Sequence, residues 1–238
     1  MMKVIKNVNE LGEIELIITE GDKLLKYLTN GNSNKLSLPK GVSKVGSSLF
    51  GQDEKTDELI KQHIEDEDER EYFIEVLEQL QFDEVYIPKS VKEIDEGAFA
   101  FAEIRKFTLE DDGSFFTVID GMLCNKDETL LIACSGTENE NIVIPSKIKR
   151  IGNNAFSSIP VMMDDIELSI PEGVEEIGED AFNMAYSIIC VRLSKSINKI
   201  EARGLSYGDN EFPEIYVYEN TYAHEYLLSN DIEYKLIR

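Results

Sequence analysis

The chain has 238 residues, 42% hydrophobic and 30% charged, a mixture that can bury a core and excludes wholesale disorder. Asp and Glu number 47 against 24 Lys and Arg, a formal net charge of -23. Phosphate backbones and anionic lipid surfaces repel such a chain, so no nucleic-acid partner is expected.

From the N-terminus, only Val4 and Ile5 follow Met1, Met2 and Lys3 before Lys6 and Asn7 interrupt, so no apolar leader segment is legible. The chain is expected to be cytoplasmic, or surface-exposed or secreted if a leader has been trimmed. The longest apolar stretches, such as Ile159 to Met163, fall far short of the ~20 residues a spanning helix needs, so no membrane insertion is expected.

The first patterned segment is Leu38-Pro39, followed by Val42, Val45-Gly46 and Leu49-Phe50. An acidic stretch comes next. Residues 52 to 82 carry twelve Asp and Glu against Lys55, Lys61 and Arg70. Leu59, Ile60, His63 and Ile64 predict a short helix with Thr56 as its N-cap. Asp66, three before Glu69, predicts the cap of a second helix. Phe73, Val76, Leu77 and Leu80 give that helix one apolar face. The two make a helical hairpin, and the acids are read mainly as a solvated face.

The pattern of the first segment then recurs. Ile87-Pro88 leads to Val91, Ile94 and Ala98-Phe99. Ile144-Pro145 leads to Ile148, Ile151-Gly152 and Ala155-Phe156. Ile170-Pro171 leads to Val174, Ile177-Gly178 and Ala181-Phe182, and Leu193-Ser194 starts a decayed copy through Ile197, Ile200 and Gly204-Leu205. Two further strands, through Ile104, Phe107, Leu109 and through Phe212, Ile215, Val217, keep the phase without Pro. The last apolar residues of the seven strands are Leu38, Ile87, Leu109, Ile144, Ile170, Leu193 and Val217, separated by 49, 22, 35, 26, 23 and 24 residues. The basic period is thus about 23, within the range of leucine-rich repeats, and the two long intervals mark insertions.

Each part of the repeat has a physical reading. Alternating apolar residues turn one strand face inward. Pro lacks the N–H needed to continue pairing. Apolar residues three apart, as Val91 and Ile94, suit a 3-10-like return. Gly152 and Gly178 are expected at positive φ where the chain reverses. Phe99, Phe156 and Phe182 are expected to stack in register between coils.

These residues resemble the BspA-type leucine-rich-repeat family of bacteria and some protozoan parasites. The IPxxVxxIGxxAF core carries the resemblance, together with Phe116 to Ala133, which is similar to the family's hairpin insert, and Ile215 to Tyr234, which is similar to its closing helix and strand. The opening Ile17 to Phe50 also looks like a family start. The resemblance implies one α/β leucine-rich-repeat solenoid over 1–238, with a parallel strand face, short 3-10 or loop returns, a hairpin insert and a helical acidic insert. Residues 1–35 form an N-terminal cap, 51–82 the acidic insert, 110–140 the hairpin insert and 218–238 a C-terminal cap.

In such a solenoid the residues between the apolar ones point outward from the strand face. The middle row is Ser37, Tyr86, Thr108, Val143, Ser169, Arg192 and Tyr216. The row two residues earlier is Lys35, Glu84, Lys106, Asn141, Glu167, Cys190 and Glu214. Tyr86, Thr108, Val143, Arg192 and Tyr216 are the candidate partner-binding residues, since Tyr and Arg are favoured interface anchors.

Sites for other chemistry are not legible. There is no GxSxG, P-loop or GxGxxG, and no acid spacing fits an EF-hand. His63 and His224 read as half-exposed helix residues. Asp111-Asp112 and Asp164-Asp165 read as loop acids. Cys124, Cys134 and Cys190 read as reduced and partly buried, the first two on arms of one hairpin but not opposite each other. The expectation is therefore a monomeric, non-catalytic module that binds an as yet unidentified protein, with no cofactor or metal. A structural or self-associating scaffold is the alternative, and a surface adhesin or a metal buffer in the acidic insert are remote ones.

Overall fold

A computed structural model describes residues 2–8, 13–31, 35–51, 53–77, 80–110, 115–136, 142–160, 165–208 and 211–238, without the Lys55 side chain. The coils that begin at Lys35, Glu84, Ile166 and Ile188 each supply two short strands. The outward strand ends at the repeat's apolar residue, and the following proline carbonyl accepts a hydrogen bond from the N–H three residues on. These bonds are Val42 to Pro39 (3.3 Å), Val91 to Pro88 (3.0 Å), Ile148 to Pro145 (3.0 Å) and Val174 to Pro171 (3.3 Å). After this turn comes a two-residue strand, as in Glu93–Ile94 or Glu176–Ile177. The expected 3-10 return is thus a β-turn plus a ladder rung, and no 3-10 helix occurs among the described residues. A short strand satisfies its N–H and C=O groups on the next coil, which a 3-10 turn cannot do.

The glycines of the repeat do something other than expected. Neither Gly152 nor Gly178 has positive φ. The left-handed residue lies two positions later in each coil, at Ser48, Gly97, Asn154, Asp180 and Arg203, with φ of 53°, 73°, 53°, 53° and 52°. Gly152 and Gly178 permit close approach instead. A Cβ on Gly152 would stand 2.7 Å from the Leu131 carbonyl oxygen, and one on Gly178 would stand 2.7 Å from the Asn153 nitrogen. The coils touch backbone to backbone here: Gly152 N–H donates to Leu131 (2.9 Å) and Gly178 N–H to Ile151 (2.8 Å).

The outward strands form two parallel ladders, not one row of seven. Lys35–Ser37, Glu84–Ile87 and Phe107–Leu109 make the first. Ile166–Ser169, Ile188–Arg192, Glu214–Tyr218 and Lys235–Ile237 make the second. Residues 142–144 lie between them without strand structure. The predicted strand through Ile104 and Leu109 is split, because Glu103–Ile104 pairs with Gln81–Phe82 in a separate small sheet.

The short strands also form two series, and both begin the same way. Met2–Val8, Ile14–Glu20 and Lys23–Thr29 form an antiparallel meander whose last strand pairs in parallel with Lys44–Val45. Phe116–Ile119, Met122–Asn125 and Leu130–Cys134 form a second meander, whose last strand pairs in parallel with Arg150–Ile151. The correspondence extends to single bonds. Gly46 N–H donates to Leu24 as Gly152 does to Leu131, and Tyr27 N–H donates to Leu49 as Cys134 does to Ala155. Each meander also has one register shift, at Ile18/Thr19 and at Leu123/Cys124.

The second meander is a partition through the interior. Leu123, Ile132 and Ala133 belong to one buried cluster, which extends back to Ile14. Met122, Cys124, Leu131 and Cys134 belong to the other, which extends to Ile232. Along Met122 to Cys124 alternate residues serve opposite cores, as a strand buried on both faces requires, and Leu131 to Cys134 likewise contributes to both.

Two helices form the acidic insert, Glu54–His63 and Glu67–Leu77. The first is capped by Asp53 rather than Thr56: Asp53 Oδ1 accepts from Thr56 N–H at 2.7 Å and from its hydroxyl at 2.8 Å. Both residue types cap helices, and the apolar pattern alone did not separate a helix beginning at either. Asp66 caps the second helix as expected, accepting from Glu69 N–H at 2.8 Å. Phe73, Leu77 and Leu80 are buried and Val76 is half-buried. The closing helix Tyr222–Ser229, capped by Thr221, precedes the last strand.

Phe156 and Phe182 stack as expected, with centroids 4.9 Å apart, whereas Phe99 packs on Phe107 at 5.0 Å and Phe50 on Phe82 at 5.3 Å. Phe99 and Phe156 belong to the two different buried clusters. Replacing Phe156 by Ala should cost about 3–5 kcal/mol, the usual loss for a buried aromatic, read as a lower denaturant midpoint. Gly178→Ala should cost about 1–3 kcal/mol by the same measurement, because the added methyl drives two backbones apart; an unchanged midpoint would mean the coils can separate freely there.

Candidate functional site

The five candidate residues fall on the outward side of the molecule but not on one ladder. In the first ladder, Ser37, Tyr86 and Thr108 are paired in register. In the second, Ser169, Arg192, Tyr216 and Lys235 are paired in register. Val143 lies between the ladders and is 67% exposed. The phase inferred from the alternating apolar residues is correct in both ladders, since Val85, Ile87, Leu168, Val191, Ile215 and Val217 are buried.

The second ladder carries the more organised surface. The Arg192 guanidinium lies 4.3 Å from the Tyr216 ring centroid, and Lys235 Nζ lies 5.5 Å from it on the next strand. Arg192 is tied to Glu167 at 3.5 Å and Lys235 to Glu214, so both cations are held by the row below. The Tyr216 hydroxyl donates to Glu214 at 3.3 Å. Lys195 Nζ covers the Tyr218 ring at 4.5 Å one row above. Such cation–π contacts contribute about 0.5–1 kcal/mol at exposed sites. Their larger effect here is to fix the orientation of an aromatic ring on a rigid strand. Lys235 was missed from the sequence because Lys235–Ile237 lacks the repeat signature.

The lower row departs from expectation at Cys190, which is in register with Glu167 and Glu214 yet only 3% exposed. Burial raises its thiol pKa. In the first ladder Lys35 pairs with Glu84 at 2.6 Å, and this bond holds the Glu84 carboxyl below its ordinary pKa. Asn141, Asp111, Asp112 and Asp164 lie outside the described residues.

A second charged feature, on the short-strand side, was not anticipated. Arg150 donates to Glu96 through Nε (3.1 Å) and a terminal nitrogen (3.0 Å), to Glu176 at 2.8 Å, to Glu201 at 3.3 Å and to Asn153 Oδ1 at 3.0 Å. Lys199 adds Glu201 at 2.6 Å. Glu96 comes from the coil before the partition and Arg150 from the coil after it, so the bond ties the two halves. The signal available in the sequence was the sign of the residue before the short strand's apolar position, which reads Lys44, Glu93, Arg150, Glu176 and Lys199.

The remaining reactive residue types are engaged locally. His63 Nδ1 meets the Leu59 carbonyl at 2.8 Å, and His224 Nδ1 accepts from Asn220 N–H while Nε2 meets the Tyr234 hydroxyl at 3.0 Å. Cys124 and Cys134 are fully buried and not opposite each other, the register pairing Cys134 with Met122 and Cys124 with Leu131. Burial pushes the Cys124 thiol up to about 12, far from a reactive thiolate. Among the described residues, no group of three or more His, Cys, Asp and Glu could hold a metal ion, and no helix is long and apolar enough to cross a membrane.

With this geometry, comparison with known proteins is decisive about family. The family model for the BspA type leucine-rich repeat region matches residues 26–118 and 132–231, in six copies. The chain belongs to this family. A leucine-rich repeat protein from Eubacterium ventriosum has a similar structure, with a TM-score of 0.50 and 13% identity over 92% of this chain and 73% of that one. The pneumococcal vaccine antigen PcpA matches at a TM-score of 0.43 and 14% identity, over 99% of both chains. A leucine-rich cell surface protein from Faecalibacterium prausnitzii matches at 0.33 and 19%, over 84% of this chain and 45% of that one. No curated protein matches the sequence. The fold of this BspA-type protein is therefore that of bacterial leucine-rich-repeat proteins.

The Arg150 cluster predicts a pH dependence. The hydrogen bond from Lys199 is the main cause holding Glu201 below the ordinary 4.5, and Arg150 adds to it against the opposing effect of burial. A carboxylate with a depressed pKa contributes stability above its unfolded value, and that contribution is lost as pH falls through the folded value. The urea midpoint should therefore decline as pH drops below about 4.5, and Lys199→Met should make that decline shallower. An identical profile in the variant would show that Glu201 is not among the groups responsible.

Proposed function

We propose that this BspA-type chain is a non-catalytic recognition module that engages a protein partner through the outward face of its strand ladders. Arg192 and Tyr216 form the anchor, and Tyr86, Thr108 and Val143 extend the contact toward the other end. The observation that supports this reading best is the Tyr216 ring, held between Arg192 and Lys235 on successive rungs. Tyr and Arg dominate interface energetics because each presents a large area with a polar tip, and a pre-oriented ring loses little entropy on binding. With a net charge of -23, the chain favours a neutral or basic partner over an acidic one. The engagement of both histidines by nearby groups and the burial of the thiols support a non-catalytic role.

The reading is tested with a photo-crosslinking amino acid at Thr108, within the proposed contact, and at Glu179, on the far side. Partner capture from Thr108 and not from Glu179 is expected. Tyr86→Ala with Arg192→Ala, and separately Tyr216→Ala, should leave the circular dichroism unchanged and weaken the captured partner by roughly thirtyfold or more, the scale of a hot-spot loss of about 2 kcal/mol. Full affinity in both variants would remove the strand face as the site.

A further inference from the structure

At the C-terminal end of the second ladder the buried rows run out. Ile170, Leu193 and Val217 are 4%, 1% and 0% exposed, yet Leu236, paired in register with Val217, is 47% exposed. Lys235–Ile237 is the last strand of its sheet, and its far edge has no pairing strand among the described residues. A cleft of about 700 Å³ opens beside it. Phe212, Ile232 and Tyr234 supply its apolar side, and Asp231 and Glu233 supply exposed carboxylates. The one lysine in the lining, Lys235, is already neutralised by Glu214.

We propose that this end is a second docking site, which takes an extended segment of a partner protein as an added strand, with apolar residues alternating with cationic ones. The unpaired edge of Lys235–Ile237 offers backbone hydrogen bonds, and a residue added beside Leu236 continues the row that is dry everywhere else in the ladder. The strand period of two decides the pattern: apolar side chains fall on the Tyr234 and Leu236 side, and the residues between them face the side of Glu233. Charge decides the sign, since the free carboxylates of Asp231 and Glu233 stand at the rim of a chain whose net charge is -23. The site adjoins the outward strand face, since the added strand's cationic residues continue the row of Tyr216 and Lys235, but its apolar contacts are with the inner row of the sheet.

The test is a fluorescence-anisotropy titration of the full chain with a labelled, capped Lys-Val-Lys-Val-Lys peptide. The Glu-Val-Glu-Val-Glu peptide should bind at least roughly tenfold more weakly, and N-methylation of alternate amides of the basic peptide should abolish its binding. Leu236→Lys, at an exposed position, should weaken the basic peptide at least roughly tenfold, whereas the charge-matched Tyr72→Lys on the acidic insert should change it less than about twofold. Glu233→Lys provides the same readout if Leu236→Lys does not fold, and Tyr86→Ala should leave the peptide's affinity unchanged, which separates this site from the first ladder. Equal losses in Tyr72→Lys and Leu236→Lys would reduce the binding to general electrostatics and overturn the proposal, as would full affinity in Leu236→Lys. Sedimentation that shows a dimer dissociated by Leu236→Lys would also overturn it, by assigning the edge to a second copy of the chain.

Discussion

The structure depends on the close approach of one coil's backbone to the next. The strands of this molecule are two to seven residues long, and most are too short to persist unless a neighbour completes their hydrogen bonds. The contact at Gly152 states the constraint in miniature. Its N–H binds the Leu131 carbonyl at 2.9 Å, and a methyl group on the same residue would stand 2.7 Å from that oxygen. The bond joining the coils and the absence of a side chain are one requirement. At this spacing Phe156 meets Phe182, and Arg150 reaches carboxylates on the coils to either side.

A stack needs a beginning, and this chain has two. The opening meander and the internal one share strand order, antiparallel pairing, a register shift and equivalent hydrogen bonds to the following coil. Their surroundings differ. The first presents its outer strand, Met2–Val8, at the edge of its sheet, with half-buried and exposed residues only. The last two strands of the second, Met122–Asn125 and Leu130–Cys134, are buried on both sides. That difference accounts for composition. The first meander tolerates Lys3, Lys6 and Lys26, whereas Met122 to Cys124 and Leu131 to Cys134 contain no charge at all. The buried thiols of Cys124 and Cys134 are small apolar fillers of that wall.

The surface proposed for recognition follows from the same geometry. Outward residues on successive rungs lie one strand spacing apart, about 5 Å, so side chains from separate repeats cooperate. Arg192 and Lys235 flank Tyr216 for this reason, though 43 residues separate the two cations in the sequence. The acidic rows beneath them compensate the cations, which leaves an ordered aromatic and polar surface with little local net charge.

Much of this was legible in the residues themselves. Alternation around Val85, Ile87, Val191 and Val217 set the strand phase, because a period of two admits only one inward face. Pro39, Pro88 and Pro171 marked the strand ends, because a missing N–H cannot be paired. Asp66 marked a helix start. Gly152 was legible as necessary but not for its reason, since glycine serves both positive φ and close approach, and only the neighbouring coil distinguishes them. Residues 142–144 carry the same pattern as true strands and form none, because whether a strand exists depends on a partner in register. The sequence by itself determined the repeat, its phase and the residues that face outward, all properties of local periodicity and backbone chemistry. Tertiary structure alone decided which coils adjoin, that the hairpin divides the core, that Glu96 meets Arg150 and that Leu236 is left uncovered, because each is a contact between segments whose separation along the chain carries no information about their distance in space.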